Sequence, residues 1–235
     1  MMEEYRNPED YINGKVLMID KEIDWTSFDV VNKIRRALKV HVGIPKIKVG
    51  HAGTLDPLAT GLVIVCTGRF TKQIQQYQDL PKTYEATIKF GETTPSFDLE
   101  TAVDKSYPWE HIDRGAFDRV SEKFIGEIEQ IPPIYSAKKV DGKRAYDIAR
   151  KGKTVELKPS IVNIYTMEVT SFSMPEVKLI ISCSKGTYIR SLARDLGESL
   201  GSGAHLTALR RLKIGDFDVN DAMSLESFEK KLKQL

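Results

Sequence analysis

Two periods organise the apolar positions of this chain. Residues 14–21, GKVLMIDK, read as a short strand. Residues 26–40 carry Val30, Val31, Ile34, Ala37 and Leu38 at helical spacing, with Lys33, Arg35, Arg36 and Lys39 mostly off that face. Thr26 and Asp29 stand at capping-box spacing at its start. The run LVIVC, residues 62–66, predicts an apolar strand. Residues 83–90 alternate strictly, with Tyr84, Ala86, Ile88 and Phe90 on one side. A helix is expected near 115–126, strands over 161–172 and 177–184, and a helix over 188–200 with Ile189, Leu192, Ala193, Leu196 and Leu200 inward. The closing residues DAMSLESFEKKLKQL suggest an amphipathic helical end. Adjacent strands such as 161–172 and 177–184 favour antiparallel hairpins. The fold class expected is therefore α+β, a mostly antiparallel mixed sheet flanked by helices, and not a doubly wound parallel sheet.

Composition narrows the class without naming a function. The 235 residues are 41% hydrophobic and 29% charged, an ordinary globular composition large enough for a core without disulfides. The apolar run at 62–66 is too short to cross a bilayer, and the polar, acidic N-terminus has no signal-peptide character. Two cysteines, Cys66 and Cys183, are too few for a disulfide framework, so a reducing, cytoplasmic setting is expected. No repeat or long linker divides the chain, which predicts one domain over residues 1–235.

The near-neutral net charge of +2 hides segregation. Residues 33–48 hold six Lys or Arg and no acid; residues 135–160 hold eight bases and three acids. Residues 92–129 run the other way, with ten acids and four bases. Each basic segment alone is ordinary solvated surface, and several together tilt the reading toward a phosphate-backbone partner.

Most motif searches fail. The Gly-rich stretch 50–61 lacks the Lys-Ser/Thr of a phosphate loop and the spacing of a dinucleotide-binding turn. His41, His51, His111 and His205 show no metal-ligand spacing, so no metal is expected. What stands out is GHAGTLDPLATG, residues 50–61, in which Asp56 is the only acid and Pro57 stiffens the chain behind it. Two readings fit: a turn aspartate bonding its own backbone, or a carboxylate held rigidly as nucleophile or base.

That stretch resembles the catalytic motif of the TruB-type pseudouridine synthases. Further blocks agree in order: KTYEATIKFG (82–91), PPIYSAKKVDGKRAYDIARKG (132–152), CSKGTYIRSLARDLG (183–197) and GAHLTALRRL (203–212). The resemblance runs from about Gly14 to about Phe217. It implies the pseudouridine-synthase fold and isomerisation of uridine 55 in the T loop of tRNA, with no cofactor. By the same resemblance Asp56 is the nucleophile, Arg190 its charge partner, and Tyr84 a residue stacked on the target base. Tyr188 and Leu209 line the uridine pocket, and His51 fills the space of the flipped base. Lys21 matches the lysine of an N-terminal motif, although the following Asp24-Trp25 departs from the usual small residue or glycine. Residues 132–153 match an RNA-clamping thumb, where Lys138, Lys139 and Arg144 would meet phosphates; Arg210 and Arg211 either add to the same RNA surface or are structural. The chain stops soon after the last shared block, which suggests no separate C-terminal RNA-binding domain. The partner implied is tRNA, through its T stem-loop, with no membrane, no obligatory protein partner and a monomeric state. The alternatives are a non-catalytic tRNA-binding or folding factor and a synthase acting on another RNA.

Overall fold

The computed structural model describes residues 7–136, 138–140, 143–144, 148 and 157–233. In chain order the elements are α1 (Pro8–Asn13), β1 (Val16–Lys21), α2 (Ser27–His41), β2 (Val49–His51), β3 (Thr60–Thr67), α3 (Ile74–Asp79), β4 (Lys82–Phe90), β5 (Glu92–Thr93), β6 (Lys105–Ser106), α4 (Arg114–Ser121), β7 (Gly126–Gln130), β8 (Lys139–Val140), β9 (Lys143–Arg144), β10 (Ser160–Ser173), β11 (Glu176–Cys183), α5 (Ile189–Ser199), β12 (Ala204–Ile214), β13 (Phe217–Asp218) and α6 (Leu225–Lys233). Contacts divide the chain into two compact units, Met1–Thr83 with Arg210–Leu235, and Tyr84–Leu209.

The first unit is built on β3. Every residue from Gly61 to Thr67 is buried, so both faces of this strand are covered. Antiparallel β1 lies along one edge, in register from Val16↔Cys66 to Lys21↔Gly61. The other edge takes antiparallel β2 near Val65–Thr67 and parallel β12 at Thr60 and Gly61. Leu62, Ile64 and Cys66 pack with Ala52, Ile214 and Val219 in one apolar cluster. The Cys66 thiol, fully buried there, is pushed up to about 11 by desolvation, so it is a core residue and not a reactive thiolate.

Helix α2 starts where its sequence dictates. Thr26 Oγ1 accepts the Asp29 N–H at 3.0 Å, and the Asp29 carboxylate accepts the Thr26 N–H at 3.0 Å. Both arms of the capping box are formed. Thr26→Ala is therefore expected to cost about 1 kcal/mol, visible as a lower denaturation midpoint with an unchanged m-value. The helix buries Val30, Val31, Ile34, Ala37 and Leu38 and packs on α6, where Lys33 and Lys233 both reach Glu229, at 2.6 and 2.7 Å.

The second unit holds the alternating strand intact: from Tyr84 onward β4 buries Tyr84, Ala86, Ile88 and Phe90. Strands β10 and β11 form the expected antiparallel hairpin, and β7 pairs antiparallel with β10. Phe117 of α4 sits edge-on between Phe90 and Phe172, at 6.0 and 5.9 Å between ring centroids. Helix α5 buries Ile189, Leu192, Ala193 and Leu196.

Two expectations change. The helix expected over 115–126 ends at Ser121, because Glu122–Phe124 tighten into a 3-10 turn and Gly126–Gln130 join the sheet opposite β10. The local apolar period cannot reveal that the partner strand lies more than thirty residues downstream. Residues 204–214, left without an assigned element by the sequence, form the long strand β12. The helix-compatible stretch 145–152 lies outside the described residues except for position 148. The mostly antiparallel mixed sheet with flanking helices is what the sequence predicts; β3 with β12 supplies a parallel pair.

Candidate active site

Asp56 sits in the connection between β2 and β3, and the contacts that hold this connection run through its main chain. Ala52 N–H donates to Ile64 O at 2.8 Å, tying the loop's first turn to β3. Leu55 N–H donates to Ser27 Oγ at 2.9 Å, and that hydroxyl donates back to Leu55 O at 3.2 Å. Asp24 N–H donates to Pro57 O at 2.9 Å, and Ala59 N–H closes a turn onto Asp56 O at 3.1 Å. The segment that carries the carboxylate is thereby fixed on both sides of it, while Asp56 itself stays half-buried.

Lys21 is drawn into the same loop. It is fully buried at the end of β1, and its ammonium donates to the carbonyls of Trp25 at 2.7 Å, Glu22 at 2.9 Å and Pro57 at 3.3 Å. Burial lowers its pKa from 10.5 to about 8, and the Asp56 carboxylate is the largest influence opposing that fall. At neutral pH Lys21 is therefore a cation bonded to the loop at Pro57 and within electrostatic reach of Asp56. The local departure in sequence has a structural solution: Asp24 adopts φ +67°, the left-handed conformation that glycine takes most easily, so the turn forms without one.

Arg211 is the residue that sequence reasoning assigned differently. It was expected on an RNA-contacting surface, yet it is buried to 1% exposure. Its Nε donates to Leu62 O at 2.7 Å, Nη1 to Thr54 O and Nη2 to Gly53 O, both at 3.3 Å. A guanidinium engaged this way is not presented to a phosphate. Its neighbour Arg210 forms a two-pronged pair with Asp20, at 3.0 and 2.7 Å.

His51, at the end of β2, keeps Nδ1 buried with no hydrogen-bond partner among the described residues. Desolvation pushes its pKa below 6.5; the Gly53 backbone opposes that fall, and nearby Arg211 adds a smaller push in the direction of burial. The imidazole is neutral at neutral pH.

The remaining predicted residues lie in the second unit. Tyr84 is buried on the inner side of β4. Arg190, in the first turn of α5, is not the surface arginine its helix position alone would suggest. It is 4% exposed, donates to Ser96 O at 3.2 Å and Tyr135 O at 3.0 Å, and pairs with Asp98 at 3.4 Å. Tyr188 caps α5, its N–H and C=O both bonded to the Gln130 amide, at 2.8 and 3.1 Å. Leu209 is buried on β12. Lys138 folds back onto the chain, donating to Ser160 Oγ at 2.6 Å and Lys158 O at 3.1 Å, rather than reaching outward. Lys139 and Arg144 face each other in register in the short β8–β9 hairpin. Half of the expected thumb, including Arg150 and Lys151, lies outside the described residues. No cluster of three or more metal-ligating side chains occurs among the described residues, and no described helix is long and apolar enough to cross a membrane.

Comparison with known proteins shows what the chain as a whole is similar to. Residues 35–189 match the TruB family pseudouridylate synthase (N terminal domain), and residues 190–234 match the tRNA pseudouridylate synthase B C-terminal domain. The chain is 57% identical over 221 residues to tRNA pseudouridine synthase B of Phocaeicola vulgatus, covering 94% of each chain. It is 50% identical over 226 residues to the protein of the same name from Flavobacterium johnsoniae, covering 96% of this chain and 99% of that one. Among solved structures, a chain of a Cbf5-Nop10-Gar1 complex superposes with a TM-score of 0.71 at 25% identity; the match covers 97% of this chain and 61% of that one. With a family match over more than half its length and relatives at this identity over nearly all of it, the chain belongs to the TruB family of pseudouridylate synthases.

Proposed function

We propose that this protein converts uridine 55 in the T loop of tRNA to pseudouridine, with Asp56 as the nucleophile. The observation that carries the reading is the Asp56 loop itself. The only carboxylate of residues 50–61 is carried on a backbone pinned before and after it, with a buried cation bonded to it at Pro57. A nucleophile needs that rigidity, since a misplacement of about 1 Å can cost about a hundredfold in rate.

The chemistry balances within the substrate. The glycosidic C1′–N1 bond breaks, the uracil turns, a C1′–C5 bond forms, C5 loses its proton and N1 gains one. Nothing is oxidised and no group is donated from outside, so the reaction requires no cofactor. The base is stacked inside a folded loop and must first be extruded. In this reading Tyr84 stacks on the extruded base, Tyr188 and Leu209 line its pocket, and Arg190 balances the charge of the nucleophile. His51, neutral by burial, enters the vacated stack without carrying a charge out of water. One catalytic domain spans residues 1–235, the enzyme works as a monomer without an obligatory protein partner, and its compartment is the cytoplasm, in keeping with two buried free thiols.

The test uses T-arm stem-loop RNA tritiated at uracil C5. The expected result is tritium release to water in proportion to pseudouridine formed. Binding of this RNA without release points to the non-catalytic tRNA factor. Release only from another RNA points to a different target.

A further inference from the structure

Two glycines and an arginine account for the shape of the Asp56 loop together. Arg211 is always charged, and burying a guanidinium is costly unless its N–H groups find acceptors. Here Nε bonds Leu62 O of β3, while Nη1 and Nη2 bond the carbonyls of Thr54 and Gly53, just ahead of Asp56. The main chain of the same residue pairs with Gly61, the far end of the loop. An added Cβ at Gly61 would stand 2.3 Å from Arg211 O, so only glycine admits the strand this closely. Gly53 holds φ +104°, turning its carbonyl to the guanidinium. One residue thus grips both ends of the segment whose middle is the carboxylate.

We propose that Arg211 is a positioning residue for Asp56: through the carbonyls of Gly53, Thr54 and Leu62 it holds the nucleophile's loop in place, and it makes no contact with RNA. The inference rests on Asp56 being the nucleophile. A lysine at 211 keeps the charge but replaces a planar fork, whose three nitrogens meet Leu62, Thr54 and Gly53 separately, with one nitrogen on a flexible stem.

The experiment compares wild type, Arg211→Lys, Arg211→Gln and Asp56→Asn on tritiated T-arm RNA, each well below its unfolding midpoint. It measures kcat, KM, the Kd for RNA, and amide exchange. Arg211→Lys is expected to lower kcat by about a hundredfold, with KM and Kd within about threefold of wild type. The Leu55 and Ala59 amides, which bond Ser27 Oγ and Asp56 O, should exchange faster while α5 amides are unchanged. Arg211→Gln should lose at least as much in kcat. A weakened Kd with intact kcat would make Arg211 a phosphate contact and overturn the inference. Unchanged kcat and unchanged loop exchange would overturn it as well, leaving Arg211 a plain core residue. Tritium release by Asp56→Asn, or none by wild type, removes the nucleophile reading and the inference with it; either is seen before any Arg211 variant is compared.

Discussion

Asp56→Asn is expected to reduce tritium release from T-arm RNA by about ten thousandfold or more, the scale on which loss of a covalent nucleophile acts. Asparagine keeps the shape and removes the negative charge and most of the nucleophilicity. The named contacts that hold the loop use main-chain groups of Ala52, Leu55, Pro57 and Ala59, none of which the substitution touches. The Kd for RNA and the circular dichroism spectrum should therefore match wild type. A second consequence is electrostatic. The Asp56 carboxylate is the largest influence holding the Lys21 proton, so the variant's Lys21 should titrate lower than the wild type's value of about 8. Isotope-edited NMR of the Lys21 ammonium measures that directly. Retained release by Asp56→Asn would place the nucleophile elsewhere; an unchanged Lys21 titration would mean the two charges do not sense each other.

Gly61→Ala is expected to destabilise the protein by about 3 to 5 kcal/mol, combining a strained backbone with an overpacked contact. Gly61 holds φ +105°, and a methyl group there would lie 2.3 Å from Arg211 O and 2.8 Å from Arg211 N. Those atoms belong to a paired strand, so relief requires β12 to move off β3 at Arg211↔Gly61. Gly43→Ala separates the two causes. Gly43 has φ +74°, but an added Cβ meets nothing within 4 Å, so its cost should be the backbone part alone, about 1 kcal/mol. Chemical denaturation of both variants gives the comparison. A loss below about 1 kcal/mol at Gly61 would mean the two strands part there without cost.

Local signals served where local physics decides. The Thr26–Asp29 spacing marked the start of α2 because a capping box is satisfied within one turn. The alternation of residues 83–90 marked β4 because a strand with one buried face shows its period directly. They failed where a distant strand supplies the partner. Residues 122–126 read as helix until β10 is there to pair with Gly126–Gln130. Residues 204–214 have no clean alternation, since β12 is buried more at one end than at the other.

The site divides in the same way. The sequence by itself determined that Asp56 is the single carboxylate of a proline-stiffened, glycine-bounded loop, and its resemblance to one family was carried by blocks whose order and identity need no coordinates. Only the tertiary structure decided what the cations do. Arg211 reads as an RNA-facing charge, Lys21 only as a motif lysine, and the helix position of Arg190 alone suggests a surface arginine, because charge and spacing do not encode depth. The fold buries Lys21 and Arg211 against the Asp56 loop, pairs Arg210 with Asp20, and closes Arg190 on Asp98 and two carbonyls. A lysine or arginine reveals whether it faces water or backbone only when strands far apart in the chain have brought the accepting carbonyls to it.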